Sequence, residues 1–214
     1  MRKLLGACLL CCALALSPAA FAADFGMGLR AGTQGLGGEF GVGFIPWFGL
    51  RAAVSTLDVS VDYEDDDIDY DGTLMLGGYG LLADFFPMMG TFRLTAGWFS
   101  NRNAVEVESV PTAPIDIGNG VYDPAEVGTL YGDVEFDNSV PYFGVGWGNV
   151  ARGKRLGFLC DLGVIRQGAG DVTLNSTTGL VDPNDLEAEA AELEDDIEDY
   201  EFWPVISIGM SIRF

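Results

Sequence analysis

Seven charged residues stand almost alone in glycine-rich, otherwise apolar stretches: Arg30, Glu39, Arg51, Asp84, Arg93, Asp161 and Arg213. Isolated charges away from water are costly, whereas paired and hydrogen-bonded ones are tolerated. Four cations against three anions nearly balance, so a common interior would hold them as a salt-bridge network. Such a network either fills and stiffens an interior or lines a narrow polar conduit. A second charged group is Asp62, Glu64, Asp65, Asp66, Asp67, Asp69 and Asp71, just before Gly72. The spacing Asp67-x-Asp69-x-Asp71-Gly72 matches the opening of a calcium loop, but its twelfth position is Gly78 instead of Glu. Asp-Gly is also a common turn pair. A solvated acidic loop is therefore the leading reading, with Asp67, Asp69 and Asp71 as candidate ligands for loosely held Ca²⁺ or Mg²⁺. The chain has no His, which removes the usual general base and the commonest metal ligand. A Ser–His mechanism is thus unavailable, and no inward carboxylate pair stands out. No catalytic residue, cofactor or confident metal site is expected.

The elements that hold these charges follow from composition. A chain of 214 residues forms one domain, or two at most. Hydrophobic residues are 49% and aromatics 12%, with 32 acidic residues against 11 basic ones. That excludes an acidic disordered chain, which would lack the aromatics, and a nucleic-acid binder, which would be basic. At the N-terminus Arg2 and Lys3 precede the apolar run Leu4 to Leu16, and Ala20-Phe21-Ala22 supplies a small-x-small cleavage pattern. Residues 1–22 read as a secretory signal peptide, leaving 23–214 as the mature domain. A lipoprotein signal at Cys8 would leave almost no apolar run before the cysteine. Residues 1–22 carry Arg2 and Lys3 as their only charges, so the mature net charge moves from −21 to −23. Only Cys160 of the four cysteines remains. The longest uncharged stretch of the mature domain, Asn138 to Ala151, is 14 residues, short of the ~18 a spanning helix needs.

The apolar period is two. In the last segment Pro204, Ile206, Ile208, Met210, Ile212 and Phe214 alternate with Val205, Ser207, Gly209, Ser211 and Arg213. The same alternation of large apolar against small or charged residues starts at Phe25, Phe40, Leu50, Tyr79, Phe92, Phe143 and Phe158, which makes eight strands. The second face is too small and too poor in charge for a soluble surface. It fits a narrow interior, with the large residues against lipid. Only a closed barrel satisfies every backbone group in a bilayer without helices. Short connections (Ile45–Gly49, Phe86–Gly90, Asn149–Arg155) alternate with longer or acidic ones (Thr33–Gly35, Tyr63–Asp71, Val105–Tyr131, Thr173–Tyr200), as between the two sides of an outer membrane. The fold class is therefore an all-β, up-and-down antiparallel transmembrane barrel of eight strands, with ten as the alternative if Val105–Tyr131 hides a hairpin. The last long connection carries the one helical pattern, Leu186, Ala190, Leu193, Ile197 and Tyr200, with Asp182-Pro183 at its start. It predicts a short acidic helix at the barrel rim.

The terminal Ser207-x-Gly209-x-x-Ile212-x-Phe214 resembles the signal by which bacterial outer-membrane barrels are recognised by their assembly machinery, with Gly209, Ile212 and Phe214 as its residues. Across 23–214 the pattern resembles the small eight-stranded barrels of the OmpA transmembrane domain, OmpX and OmpW kind. The resemblance implies an integral, often monomeric protein of the Gram-negative cell envelope, in contact with outer-membrane lipid and lipopolysaccharide. It implies roles in membrane integrity, surface contact or porin-like passage of small solutes. An eight-stranded interior is about filled by side chains, which favours a non-enzymatic structural or surface-interaction barrel over a narrow channel for small, even hydrophobic, solutes.

Overall fold

A computed structural model describes residues 23–64 and 68–214. The predicted signal peptide and Asp67 lie outside the described residues. Among the described residues the chain is an all-β antiparallel structure with two α-helices. Its strands are β1 (Asp24–Gly32), β2 (Gly35–Ile45), β3 (Phe48–Glu64), β4 (Ile68–Phe85), β5 (Phe92–Asn101), β6 (Ala104–Pro111), β7 (Ile115–Ile117) and β8 (Gly120–Tyr122), followed by β9 (Leu130–Glu135), β10 (Ser139–Trp147), β11 (Leu156–Arg166), β12 (Asp171–Ser176) and β13 (Phe202–Arg213). A one-turn helix covers Pro124–Val127 and a longer one Pro183–Ile197.

The alternation read from sequence sorts the two faces of these strands. In β1, Gly26, Gly28 and Arg30 are buried, whereas Phe25, Met27 and Leu29 are exposed. Leu29 is 75% exposed and Leu81 71%, so the outer face is a continuous apolar surface that water would not favour. Antiparallel pairing runs β4–β3–β2–β1–β13–β11–β10–β5, and β5 pairs again with β4 from Gly78↔Asn101 to Phe85↔Leu94. These eight strands contain the eight stretches identified in sequence.

β3 and β4 continue well past that set and stay paired to Glu64↔Asp69. The outer part of β4 takes a different neighbour, β6, from Ile68↔Pro111 to Met75↔Ala104. β9 then pairs with β6, and β12 with β9. The exchange of partner falls at Gly77 and Gly78, with φ of 122° and 142°. A Cβ on Gly77 would lie 2.3 Å from the Ser55 carbonyl oxygen, so only glycine permits the bend. Two expectations are corrected here. The described residues of the acidic segment Tyr63–Asp71 are strand, and Val105–Tyr131 and Thr173–Tyr200 hold strands that extend an outer sheet. Those strands do not enter between β4 and β5, which pair directly.

The helix Pro183–Ile197 begins as the sequence indicates. Asp182 has extended φ and ψ, and its side chain accepts a hydrogen bond from the Asn184 N–H, while Pro183 occupies the first turn, where no N–H is required. Ala190 is buried in this helix. The pattern residue Tyr200 falls instead in a 3₁₀ turn, Glu198–Tyr200.

Candidate functional site

Six of the seven expected interior charges converge from six different strands: Arg30 from β1, Glu39 from β2, Arg51 from β3, Asp84 from β4, Arg93 from β5 and Asp161 from β11. All are buried. Arg51 is the hub. Its Nε donates to Asp84 Oδ2 at 2.6 Å, its Nη1 to Glu39 Oε2 at 2.8 Å, and its Nη2 to Asp84 Oδ1 at 3.1 Å and Asp161 Oδ1 at 3.3 Å. Arg93 Nη2 donates to both Asp161 oxygens at 2.7 Å, and its Nη1 to the Gly148 carbonyl. Thr95 Oγ1 donates to Asp84 Oδ1 at 2.7 Å. Arg30 is more peripheral, with Nη1 3.9 Å from Glu39 Oε2. The core of the site holds three cations and three anions, so no net charge is buried. Arg213, at the end of β13, is half-buried and makes no ion pair among the described residues.

The glycines explain how six ions fit. Each charged residue has a glycine as a cross-strand partner. Arg30 lies opposite Gly209 and Gly37, Glu39 opposite Gly28, and Arg51 opposite Gly41. Asp84 lies opposite Gly49, and both Arg93 and Asp161 lie opposite Gly146. Directly opposed Cβ atoms are only about 5 Å apart, so a missing side chain on one strand gives the neighbouring guanidinium or carboxylate its space. A Cβ on Gly146 would come within 2.9 Å of Arg93 Cζ.

Next to the ions lies an apolar layer that the sequence reading did not anticipate. Ala53, Leu82, Phe99, Val140, Tyr142, Ile165 and Val205 form one buried cluster with Trp203 packed against it. The Phe99 and Tyr142 rings sit 5.7 Å apart, tilted, a favourable aromatic geometry. The Tyr142 hydroxyl lies where Cβ atoms of Gly144 and Gly163 would stand, 2.5 Å from each. On the other side of the ions the turn after β10 folds inward, burying Val150 and Ala151 alongside Phe86. The cavity left between Arg51, Asp84 and Val150 is about 10 Å³, room for about one water.

At the Gly77 bend a polar plate closes the apolar layer. Asn103 Oδ1 accepts from the Gly77 N–H at 3.2 Å, and Asn103 Nδ2 donates to Gln167 Oε1 at 2.8 Å. Gln167 Nε2 donates to the Tyr200 carbonyl at 3.1 Å, and Asn101 Nδ2 to the Asp137 carbonyl at 3.2 Å. Nothing in the period-two reading pointed to these amides, which lie at strand ends. Several buried polar atoms elsewhere on the inner face lack a hydrogen-bond partner among the described residues: Arg30 Nη2, both Gln34 side-chain atoms, Ser55 Oγ and Trp203 Nε1.

The candidate calcium motif takes another form. Asp69 and Asp71 lie in β4, opposite Glu64 and Asp62 of β3, and Gly72 is paired on both sides, with Val61 and Val107. A calcium loop needs a sharp turn at that glycine, and an extended ladder cannot supply one. Among the described residues no group of three or more acidic or Cys side chains is placed to hold a metal ion. Of the residues whose spacing resembles a terminal assembly signal, Gly209 pairs with Arg30, while Ile212 and Phe214 are exposed on the outer face.

This combination of an apolar outer face, an ionic and glycine-rich inner face, and antiparallel pairing throughout is the fold of small outer-membrane β-barrel proteins. The crystal structure of Acinetobacter baumannii CarO2 is similar with a TM-score of 0.59 and 18% identity, covering 89% of this chain and 98% of that one. Acinetobacter baumannii CarO is similar with a TM-score of 0.57 and 20% identity, covering 89% and 98%. No protein-family model and no curated protein sequence matches the chain.

Proposed function

We propose that the eight strands of the self-returning ladder close into a transmembrane barrel in the bacterial outer membrane, and that the barrel is a filled, non-enzymatic structural or surface-interaction protein. The observation that carries this reading is the inner face itself. Charge-balanced ions, an apolar cluster and an amide plate succeed one another along it, and the one cavity described among the ions would hold about one water. Burying six ions costs several kcal/mol each before pairing; a solute path would leave water among them, whereas Arg51 and Arg93 are bonded directly to Glu39, Asp84 and Asp161, and only Arg30 Nη2, Glu39 Oε1 and Arg93 Nε stay without a hydrogen-bond partner among the described residues. Single-channel recording in planar bilayers tests the proposal: the filled barrel gives no steady conductance. Steady unitary currents that vanish when Gly144 or Gly163 is replaced by a bulky residue would overturn it.

A second reading has one observation in its favour. The unpartnered Arg30, Gln34, Ser55 and Trp203 atoms come from β1, the β1–β2 turn, β3 and β13. In a working protein such atoms meet water, and a hydrated file along these strands would make a narrow conduit for small solutes. The remaining parts of the proposal concern partners. The outer face contacts lipid and lipopolysaccharide, and the protein acts as a monomer. Gly209, Ile212 and Phe214 serve recognition by the barrel assembly machinery. The acidic outer surface holds Ca²⁺ or Mg²⁺ loosely against lipopolysaccharide phosphates, with no dedicated metal ligands.

A further inference from the structure

Among the described residues the outer sheet ends at β12, whose outer edge pairs with no further strand. β12 bonds to β9 through its odd-numbered residues, a pattern continued by the Thr177 N–H donating to the Thr129 carbonyl. In an antiparallel strand a residue turns its N–H and C=O to the same side. Val172, Leu174 and Ser176 therefore present theirs to the free edge. At Val172 the structure shows it: the N–H donates to Glu194 Oε1 of the long helix at 3.0 Å. Beyond Val172 a cavity of about 470 Å³ separates the strand from the helix, lined by Leu174, Ser176, Val181, Leu186, Glu187 and Ala190 among others. That volume falls in the range of ligand sites. Ser176 Oγ is buried there without a hydrogen-bond partner among the described residues.

We propose that this groove between β12 and the helix Pro183–Ile197 binds a short, extended, cationic peptide segment that adds to the sheet as a further strand. Three features select this occupant. The free edge offers alternating N–H and C=O groups at strand spacing, which only another extended backbone pairs fully. The floor supplied by Leu174, Val181 and Leu186 suits apolar side chains on one face of that strand. The charge is one-sided: residues 167–201 contain 12 Asp and Glu and no Lys or Arg, and Glu187 lines the groove itself. Lys or Arg on the peptide's other face would meet these carboxylates. The inference does not depend on whether the barrel interior conducts.

Fluorescence anisotropy with the purified protein in detergent micelles tests it, with a labelled acetyl-Lys-Val-Lys-Val-Lys-amide peptide as probe. Saturable binding is expected. N-methylation of alternate peptide nitrogens removes the donors to the edge without changing charge and should weaken binding at least about tenfold. Ser176→Pro, which removes an N–H on the free side of β12, and Leu186→Trp, which fills the groove, should weaken it similarly. The N-methylated peptide needs no variant to fold. Failure of the parent peptide to saturate overturns the proposal. So does equal binding of parent and N-methylated peptides, or displacement by spermine at matched charge concentration, either of which would reduce the groove to a general acidic surface.

Discussion

Replacing Arg51 with Met tests the ionic core at its hub. The guanidinium makes four hydrogen bonds to three carboxylates, those of Glu39, Asp84 and Asp161. Without it, Asp161 keeps Arg93 at 2.7 Å, and Asp84 keeps Thr95 at 2.7 Å and Arg93 at 3.6 Å. Glu39 retains only Arg30 at 3.9 Å. The inner face then carries one uncompensated negative charge in a site with room for about one water. Deleting one partner of a buried pair costs about 3–5 kcal/mol, and the large apolar surface Met brings recovers only part of that. The expected loss is therefore about 3 kcal/mol or more, a large share of an ordinary protein's stability. Urea unfolding from phospholipid vesicles, followed by tryptophan fluorescence, gives the difference directly. Arg51→Met combined with Glu39→Gln should recover stability, because it removes the stranded carboxylate. If Arg51→Met matched the parent and the double variant brought no gain, the ions would not be holding the inner face together.

Other outcomes follow from the same structure. Gly146→Leu should destabilise the protein by about 1–3 kcal/mol in the same assay, since its Cβ would press on Arg93 Cζ and the Cys160 carbonyl oxygen at 2.9 and 2.8 Å. The Asn184 backbone and side-chain N–H groups hold the Asp182 carboxyl below the usual carboxylate range. Its contribution to the helix is thus complete above about pH 4 and is lost as pH falls through the depressed value. Hydrogen-exchange protection of the first helical turn should fall only in that acidic range, and Asp182→Asn should abolish the pH dependence. The Tyr122 hydroxyl donates to Asp185 Oδ2 at 2.5 Å, which raises its pKa. Its contribution holds below the ordinary tyrosine value of about 10 and disappears as pH rises through the raised one, so ultraviolet titration should show ionisation shifted back in Asp185→Asn. Phe214→Ala should leave unfolding in micelles nearly unchanged, while the amount of folded protein in the outer membrane of expressing cells falls.

The legible part of this fold is the part set by period two. One residue faces outward and the next faces inward, so sequence alone assigns Leu29 and Arg30, or Leu50 and Arg51, to opposite faces. The same parity places further residues. Trp98 outward makes Phe99 inward, Phe143 outward makes Tyr142 inward, and Val164 outward makes Ile165 inward; these three residues supply much of the hidden apolar cluster. The pairing of each ion with a cross-strand glycine was not legible, because register depends on how neighbouring strands pair and not on the sequence of any one strand. The outer sheet was hidden for another reason. β6, β9 and β12 mix acidic with apolar residues, as in Glu106–Glu108 and Asp133–Glu135, so their composition resembles that of loops. Parity places Arg213 inward, yet at the strand terminus its cross-strand partner is Gly26 and it has no ion-pair partner among the described residues, because parity says nothing about depth.

Accessibility to hydrocarbon measures the orientation of the two faces most directly. In a Cys160→Ser background, single cysteines at Leu81 and Ile208 on the outer face and at Ser55 and Ser207 on the inner face would each carry a small fluorophore. The protein would be folded into vesicles of brominated phospholipid. Strong quenching at the first pair and weak quenching at the second is the predicted result. Equal quenching at all four positions, or stable folding in buffer without lipid or detergent, would contradict it.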